Sequence, residues 1–214
     1  GISNSLFPGT SIIQTRARYF LFIPWIFTRA QDRWPHLIVE KALEMERKLI
    51  QAIKAGGDTD GLIGKTAGNE VKTLPSAIYW AGLQTFGIFK LPGKTIRQYG
   101  RFASRRAGLS EFEGEVADMD TSFWASLPDP PADFYDFQNA TFSMTRDEAG
   151  WLADRMLSTS RGFEQPNLLS QLVLKVQAGD TTLLDPESVW SLSDNRTLTE
   201  QSRVMLFHAE RFSM

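Results

Sequence analysis

Residues Leu37–Gly57 read LIVEKALEMERKLIQAIKAGG. Ile38, Ala42, Met45, Leu49 and Ile53 recur at spacings of three and four, which puts them on one face of an α-helix. Glu40, Glu44, Arg47, Lys48 and Lys54 fall on the other faces, and Gly56 and Gly57 supply a stop. The spacing predicts a helix over about 37–54. The same kind of pattern recurs along the chain, so the expected fold class is mainly α.

Working outward, "LPSAIYWAGLQTFGIF" (74–89) reads as a short helix, with Pro75 suited to its first turn and Gly87 to its end. A further helix is expected from Lys94-Thr95 to about Arg106. Together they predict a helix-turn-helix-like or winged-helix-like segment around residues 75–106. Two short strands flanking 87–93 are an open alternative. Upstream, "FPGTS" (7–11) is a turn in which Thr10 or Ser11 would cap a helix running from about Ile12 to Thr28, kinked near Pro24. Its run "YFLFIPWIF" (19–27) is far short of the ~20 residues that span a bilayer, and arginines flank it, so a buried helix is expected and no membrane partner.

Downstream, Leu109–Phe142 shows no helical period. The stretch 111–136 holds eight acidic residues and no Lys or Arg. It is expected to be a connector packed through Phe123, Trp124, Phe134 and Phe137. Thr145–Glu148 and Thr197–Glu200 have the spacing of capping boxes that open helices. Asn167–Ala178 reads as another helix, closed by Gly179, and a short one is expected around Val189 and Trp190. The whole reads as an irregular multi-helix domain of seven or eight helices. Its expected parts are an N-terminal helical region (1–108), an acidic, Pro-rich connector (109–142) and a C-terminal helical region (143–214); one continuous domain is the alternative. The chain begins at Gly1, and "QSRVMLFHAERFSM" is helix-patterned to its last residue, so a piece of a longer protein is expected.

Composition narrows the function classes. Hydrophobic residues make up 42% and charged residues 22%, enough for a sizeable core. A net charge of −2 favours no partner in bulk. The absence of cysteine excludes disulfides, thiolate catalysis and Cys-bound zinc; it fits a cytoplasmic setting. The two histidines, His36 and His208, form no metal-ligand spacing, and there is no G-x-S-x-G elbow. No catalytic residue, metal or cofactor is assigned.

One loop imitates chemistry. "GGDTDGLIGKTAG" (56–68) ends like a phosphate-binding P-loop. That motif requires a glycine where Thr59 stands, and a strand before the loop. Asp58 and Asp60 would also repel phosphate. The loop is expected to be a flexible link between helices. Glu46-Arg47-Lys48, with Asp32 upstream, has the E-x-K spacing of some nucleases. In a helix, however, Glu46 and Lys48 point about 200° apart.

The strongest local feature is "KTIRQYGRFASRR" (94–106), with five basic residues and no acid. Arg97, Arg101 and Arg105 repeat every four residues and form one stripe. Ile96, Tyr99 and Phe102 lie opposite and are expected to be buried. With Lys94, the row is a candidate nucleic-acid-binding face, because guanidinium groups form paired, charge-assisted hydrogen bonds with phosphates. The alternative is a solvated face, or one neutralised by the acids of 111–136. A second candidate is an anion site at the expected helix start, made by Thr10, Ser11 and Arg16.

Three phrases, "LFPGTSIIQTRARYFLFIPWIF", "GLIGKTAGNEVKTLPSAIYWAGLQTFGIF" and "FSMTRDEAGWLADRML", resemble an uncharacterised bacterial family, domain of unknown function (DUF) family 6361. The resemblance covers nearly the whole chain. No catalytic residues are established for that family, so none is carried over, and the resemblance implies members that extend beyond both ends of this sequence. It also implies that the position of Lys65 is often Arg, and that the genes lie near helicase-like and phospholipase-D-like genes of defence type. The expected function is therefore a non-catalytic, nucleic-acid-associated component of a larger system, with DNA or a DNA-processing protein as partner. The alternatives are a structural protein–protein interaction subunit, for which "FWASLPDPPADF" offers apolar anchors, and an enzyme of unidentified class.

Overall fold

The computed structural model describes residues 2–66, 71–112, 122–180 and 189–213. Its α-helices are α1 (Ile2–Leu6), α2 (Tyr19–Arg33), α3 (Ile38–Ala55), α4 (Pro75–Thr85), α5 (Ile96–Phe112), α6 (Arg146–Leu157), α7 (Leu168–Gln177) and α8 (Glu200–Ser213). Among the described residues there is no strand. An antiparallel bridge joins Phe89 to Trp124, in the region where short strands were the alternative. The protein is mainly helical.

The chain forms two compact units. One comprises residues 12–149, the other residues 1–11 with 150–214. This division does not follow the boundaries expected at 108 and 142, and it falls inside α6. The described part of the expected connector, residues 122–142, belongs to the first unit and contributes side chains to its core. Trp124, Phe134 and Phe137 are buried there.

In the first unit α2 is the central element. Every residue from Tyr19 to Phe27 is buried, and α2 packs on both α3 and α4. A helix apolar on all sides is one surrounded by others, which accounts for the "YFLFIPWIF" run. No described helix is long and apolar enough to cross a membrane. α3 buries Ile38, Ala42, Met45, Leu49 and Ile53, the periodic set read from the sequence. The Ile, Met and Leu side chains among them each contribute about 1.5–3 kcal/mol through burial. Trp80, Phe89, Tyr99 and Trp124 form an aromatic cluster, with the Phe89 ring 4.7 Å from Trp80 and 5.1 Å from Trp124.

The start of α2 departs from expectation. No helix begins at Ile12, and turns carry the chain to Tyr19. The cause is tertiary. The hydroxyl of Thr15 donates to the Gly61 carbonyl, and the Arg16 N–H donates to the Tyr79 hydroxyl at 3.0 Å. Those polar groups are committed to distant partners instead of a helical turn.

The second unit has a core of Leu6, Leu168, Leu192, Leu198 and Leu206. Asn167 caps α7 by accepting from Ser170 N–H at 2.9 Å. α8 starts later than its expected box: Thr199, not Thr197, accepts from a first-turn N–H, that of Ser202. Val189–Asp194 forms a 3-10 helix at the expected site.

Candidate functional site

The arginine row lies on α5, whose inner face buries Tyr99 and Ala103. Arg97, Arg101 and Arg105 are exposed. They do not stand on an open convex surface. All three line a groove of about 670 Å³, together with Gly100 and Ser104. His36, Leu37 and the first turn of α3 form its other wall. Leu37 occupies the N-cap of α3 without a side-chain hydrogen bond, so the positive end of the helix dipole reaches the groove uncapped.

α5 approaches α3 this closely because residue 100 is glycine. A Cβ there would lie 2.5 Å from Val39 Cγ2. A glycine in a helix interior costs about 1 kcal/mol relative to alanine, so Gly100 was a legible sign of a close neighbour. The residues of the α3 wall gave no such sign.

Charge in the groove is one-sided. Three guanidinium groups face a single carboxylate, Glu40. Ion pairs among the described residues include Arg16–Asp60, Arg18–Glu148 and Lys41–Glu44, and none of these includes an arginine of the row. Of the acids expected to cover the row, Glu113, Glu115, Asp118 and Asp120 lie outside the described residues, as does the side chain of Glu111. Asp129, Asp133 and Asp136 are exposed, and Asp133 accepts from Asn139.

The structure does not gather every candidate. Lys94 is apart from the groove; its ammonium lies over the Phe102 ring, 5.7 Å from the centroid. Phe102, expected to be buried, is 39% exposed. Residues 86–95 separate α4 from α5, well beyond the roughly three- or four-residue turn of a helix-turn-helix pair. The second candidate lacks the helix start it was built on. Thr10 donates to the Phe7 carbonyl at 3.0 Å, and Thr10 and Ser11 lie in a different unit from Arg16. Arg16 is paired with Asp60.

The loop after α3 is pinned, not a free link. Asp58 accepts from the Phe142 N–H, Asp60 holds Arg16, and Ile63 N–H donates to the Tyr19 hydroxyl at 3.2 Å. Gly64 adopts φ +79, and a Cβ there would fall 2.3 Å from Val71 Cγ2. Gly57, Gly61 and Gly64, all at positive φ, serve backbone geometry, and Asp58 and Asp60 are spent on the fold.

Glu46 carries none of the chemistry considered for it. Its carboxylate is fully buried and accepts from both the N–H and the hydroxyl of Ser76, each at 2.7 Å. It caps α4 from α3, where Leu74 offers no cap of its own. Burial, opposed by those two bonds, raises its pKa to about 7. Lys48 is exposed. Among the described residues no group of three His, Asp or Glu is placed to hold a metal. The signal for Glu46 was present: it stands four residues after Ala42 and four before Ile50, on the apolar face.

A family model described as "Family of unknown function (DUF6361)" matches residues 1–214. No curated protein and no solved structure matches the chain.

Proposed function

The chain belongs to this family of unknown function, DUF6361, and we propose that it is a non-catalytic protein that holds a nucleic-acid backbone in the groove between α3 and α5. One observation carries the reading. Arg97, Arg101 and Arg105 line a single cavity, and no described ion pair includes any of them. Arginines so placed suit phosphate oxygens, which accept two parallel N–H bonds from one guanidinium. The setting that fits is a cytoplasmic component of a larger, defence-type bacterial system, with DNA or a DNA-processing protein as partner.

The test is binding to labelled oligonucleotides at several salt concentrations. Binding should weaken steeply with salt, and the Arg97→Ala/Arg101→Ala double variant should flatten the log–log slope by roughly 0.7–0.9 for each phosphate it no longer neutralises. Binding that is absent, or a slope the double variant leaves unchanged, rejects the reading.

A second reading, an interaction subunit, has one observation in its favour. Val204 and Phe207 on α8 are 48% and 43% exposed, the kind of apolar anchors that interfaces bury. A protein that stays monomeric at high concentration and binds no neighbouring gene product would count against it.

A further inference from the structure

We infer that the groove between α3 and α5 takes a single nucleic-acid strand and that α5 is not a duplex-reading helix. The inference rests on the nucleic-acid reading above and narrows its ligand.

A recognition helix must enter the DNA major groove with its reading face foremost. That groove is about 12 Å wide and admits one helix, whose own diameter with side chains is about 10–12 Å. Here the face bearing Arg97, Arg101 and Arg105 has the start of α3 as its opposite wall. Val39 and Gly100 pack in contact. Inserting that face would carry α3 in as well, and two packed helices exceed the width available. A single strand meets no such obstacle, because it can lie along the groove between the walls.

The row suits a strand in a second way. Residues four apart on a helix advance about 6 Å along its axis, so the three guanidinium groups form a regular series in the groove. A positive groove that tracks the backbone, with an aromatic ring for a base, is the general form of a single-strand site. Phe102 supplies an exposed ring one residue beyond Arg101, about 100° around α5. That ring lies outside the groove lining and carries the Lys94 ammonium, so a base of a strand held by the arginines reaches it by leaving the groove and sharing the ring with that ammonium.

The experiment measures the anisotropy of labelled oligonucleotides of one length: single-stranded DNA, single-stranded RNA and duplex DNA. Both single strands are expected to bind at least about tenfold tighter than duplex. Ser104→Trp, which fills the groove without changing charge, should abolish single-strand binding while leaving the melting temperature near that of the parent. Should that variant not fold, Leu37→Trp narrows the groove from an exposed position on the other wall. Phe102→Ala should weaken single-strand binding about tenfold with the salt slope unchanged. Arg101→Ala should lower that slope by about 0.7. Duplex binding as tight as single-strand binding overturns the inference, as does a folded groove-filling variant that binds like the parent. No binding to any of the three overturns the nucleic-acid reading itself.

Discussion

Gly100 and Val39 meet where α5 approaches α3, so closely that a Cβ at residue 100 would lie 2.5 Å from Val39 Cγ2. The contact is side chain against backbone, and Val39 is β-branched, with one strongly preferred rotamer in a helix. Gly100→Ala therefore cannot be absorbed by a simple side-chain swing. Overpacking costs typically about 1–3 kcal/mol, against a gain of about 1 kcal/mol in helix propensity. A net loss of about 1 kcal/mol is expected in urea denaturation. Adding Val39→Ala opens the space and should recover much of it. Equal losses in the single and double variants would show that this contact does not set the spacing of the helices.

Arg18 and Glu148 form an ion pair at 2.8 Å with side chains 8% and 4% exposed. Arg18 also donates to the Thr141 carbonyl at 2.9 Å, and Glu148 accepts from Thr145 N–H at 2.8 Å as half of a capping box. Removing one partner leaves a charge buried without its counterpart, which costs about 3–5 kcal/mol. Glu148→Ala is therefore expected to lose that much stability in chemical denaturation. Replacing both, Arg18→Met with Glu148→Leu, should cost less than Glu148→Ala alone. A double variant that is the less stable of the two would refute this account.

Legibility followed the distance between partners. The face of α3, Pro75 at the start of α4 and the box at Thr145–Glu148 rest on residues within a few positions of each other, and each is where the sequence placed it. The segment from Ile12 to Arg18 is not helical because Thr15 and Arg16 bind Gly61, Asp60 and Tyr79, partners that no local pattern reveals. The arginine stripe was legible as a polar face. A helical period tells which side of α5 is polar but not what stands opposite, so the wall from His36 to Glu40 was invisible.

The loop at Gly56–Thr66 shows the same limit in a form that can be tested. Its last residues spell a phosphate motif, yet Gly64 is required by its positive φ of +79 and by the closeness of Val71. Gly64→Ala should destabilise the protein by more than about 1 kcal/mol, since alanine there is strained and clashes. ATP with magnesium should leave the melting temperature unchanged, because a ligand that binds only the folded state must raise it. A rise of several degrees with ATP, lost in Gly64→Ala, would restore the phosphate reading of the loop.

Glu46 makes stability depend on pH in a direction opposite to that of most carboxylates. Its pKa in the folded chain is raised to about 7 by burial, from 4.5. Between those values the folded state binds more protons than the unfolded state, so stability falls as pH rises through the window. Below about 4.5 the carboxyl is neutral in both states, and above about 7 it is ionised in both, so the contribution is level outside it. The full change is of the order of 3 kcal/mol. The charged group acting on it is Arg47, which favours the anion. Ser76 donates to both oxygens of the anion, so protonation must turn one of those bonds around, with the carboxyl donating to the Ser76 hydroxyl. Glu46→Gln can reproduce the protonated arrangement, accepting from Ser76 N–H and donating to its hydroxyl. The variant should match the parent near pH 4.5 and exceed it at about pH 8, in urea denaturation run in parallel. Because all other groups titrate alike in the two proteins, their difference isolates Glu46, and a difference that does not grow across that range would show that the carboxylate is comfortably ionised where it lies.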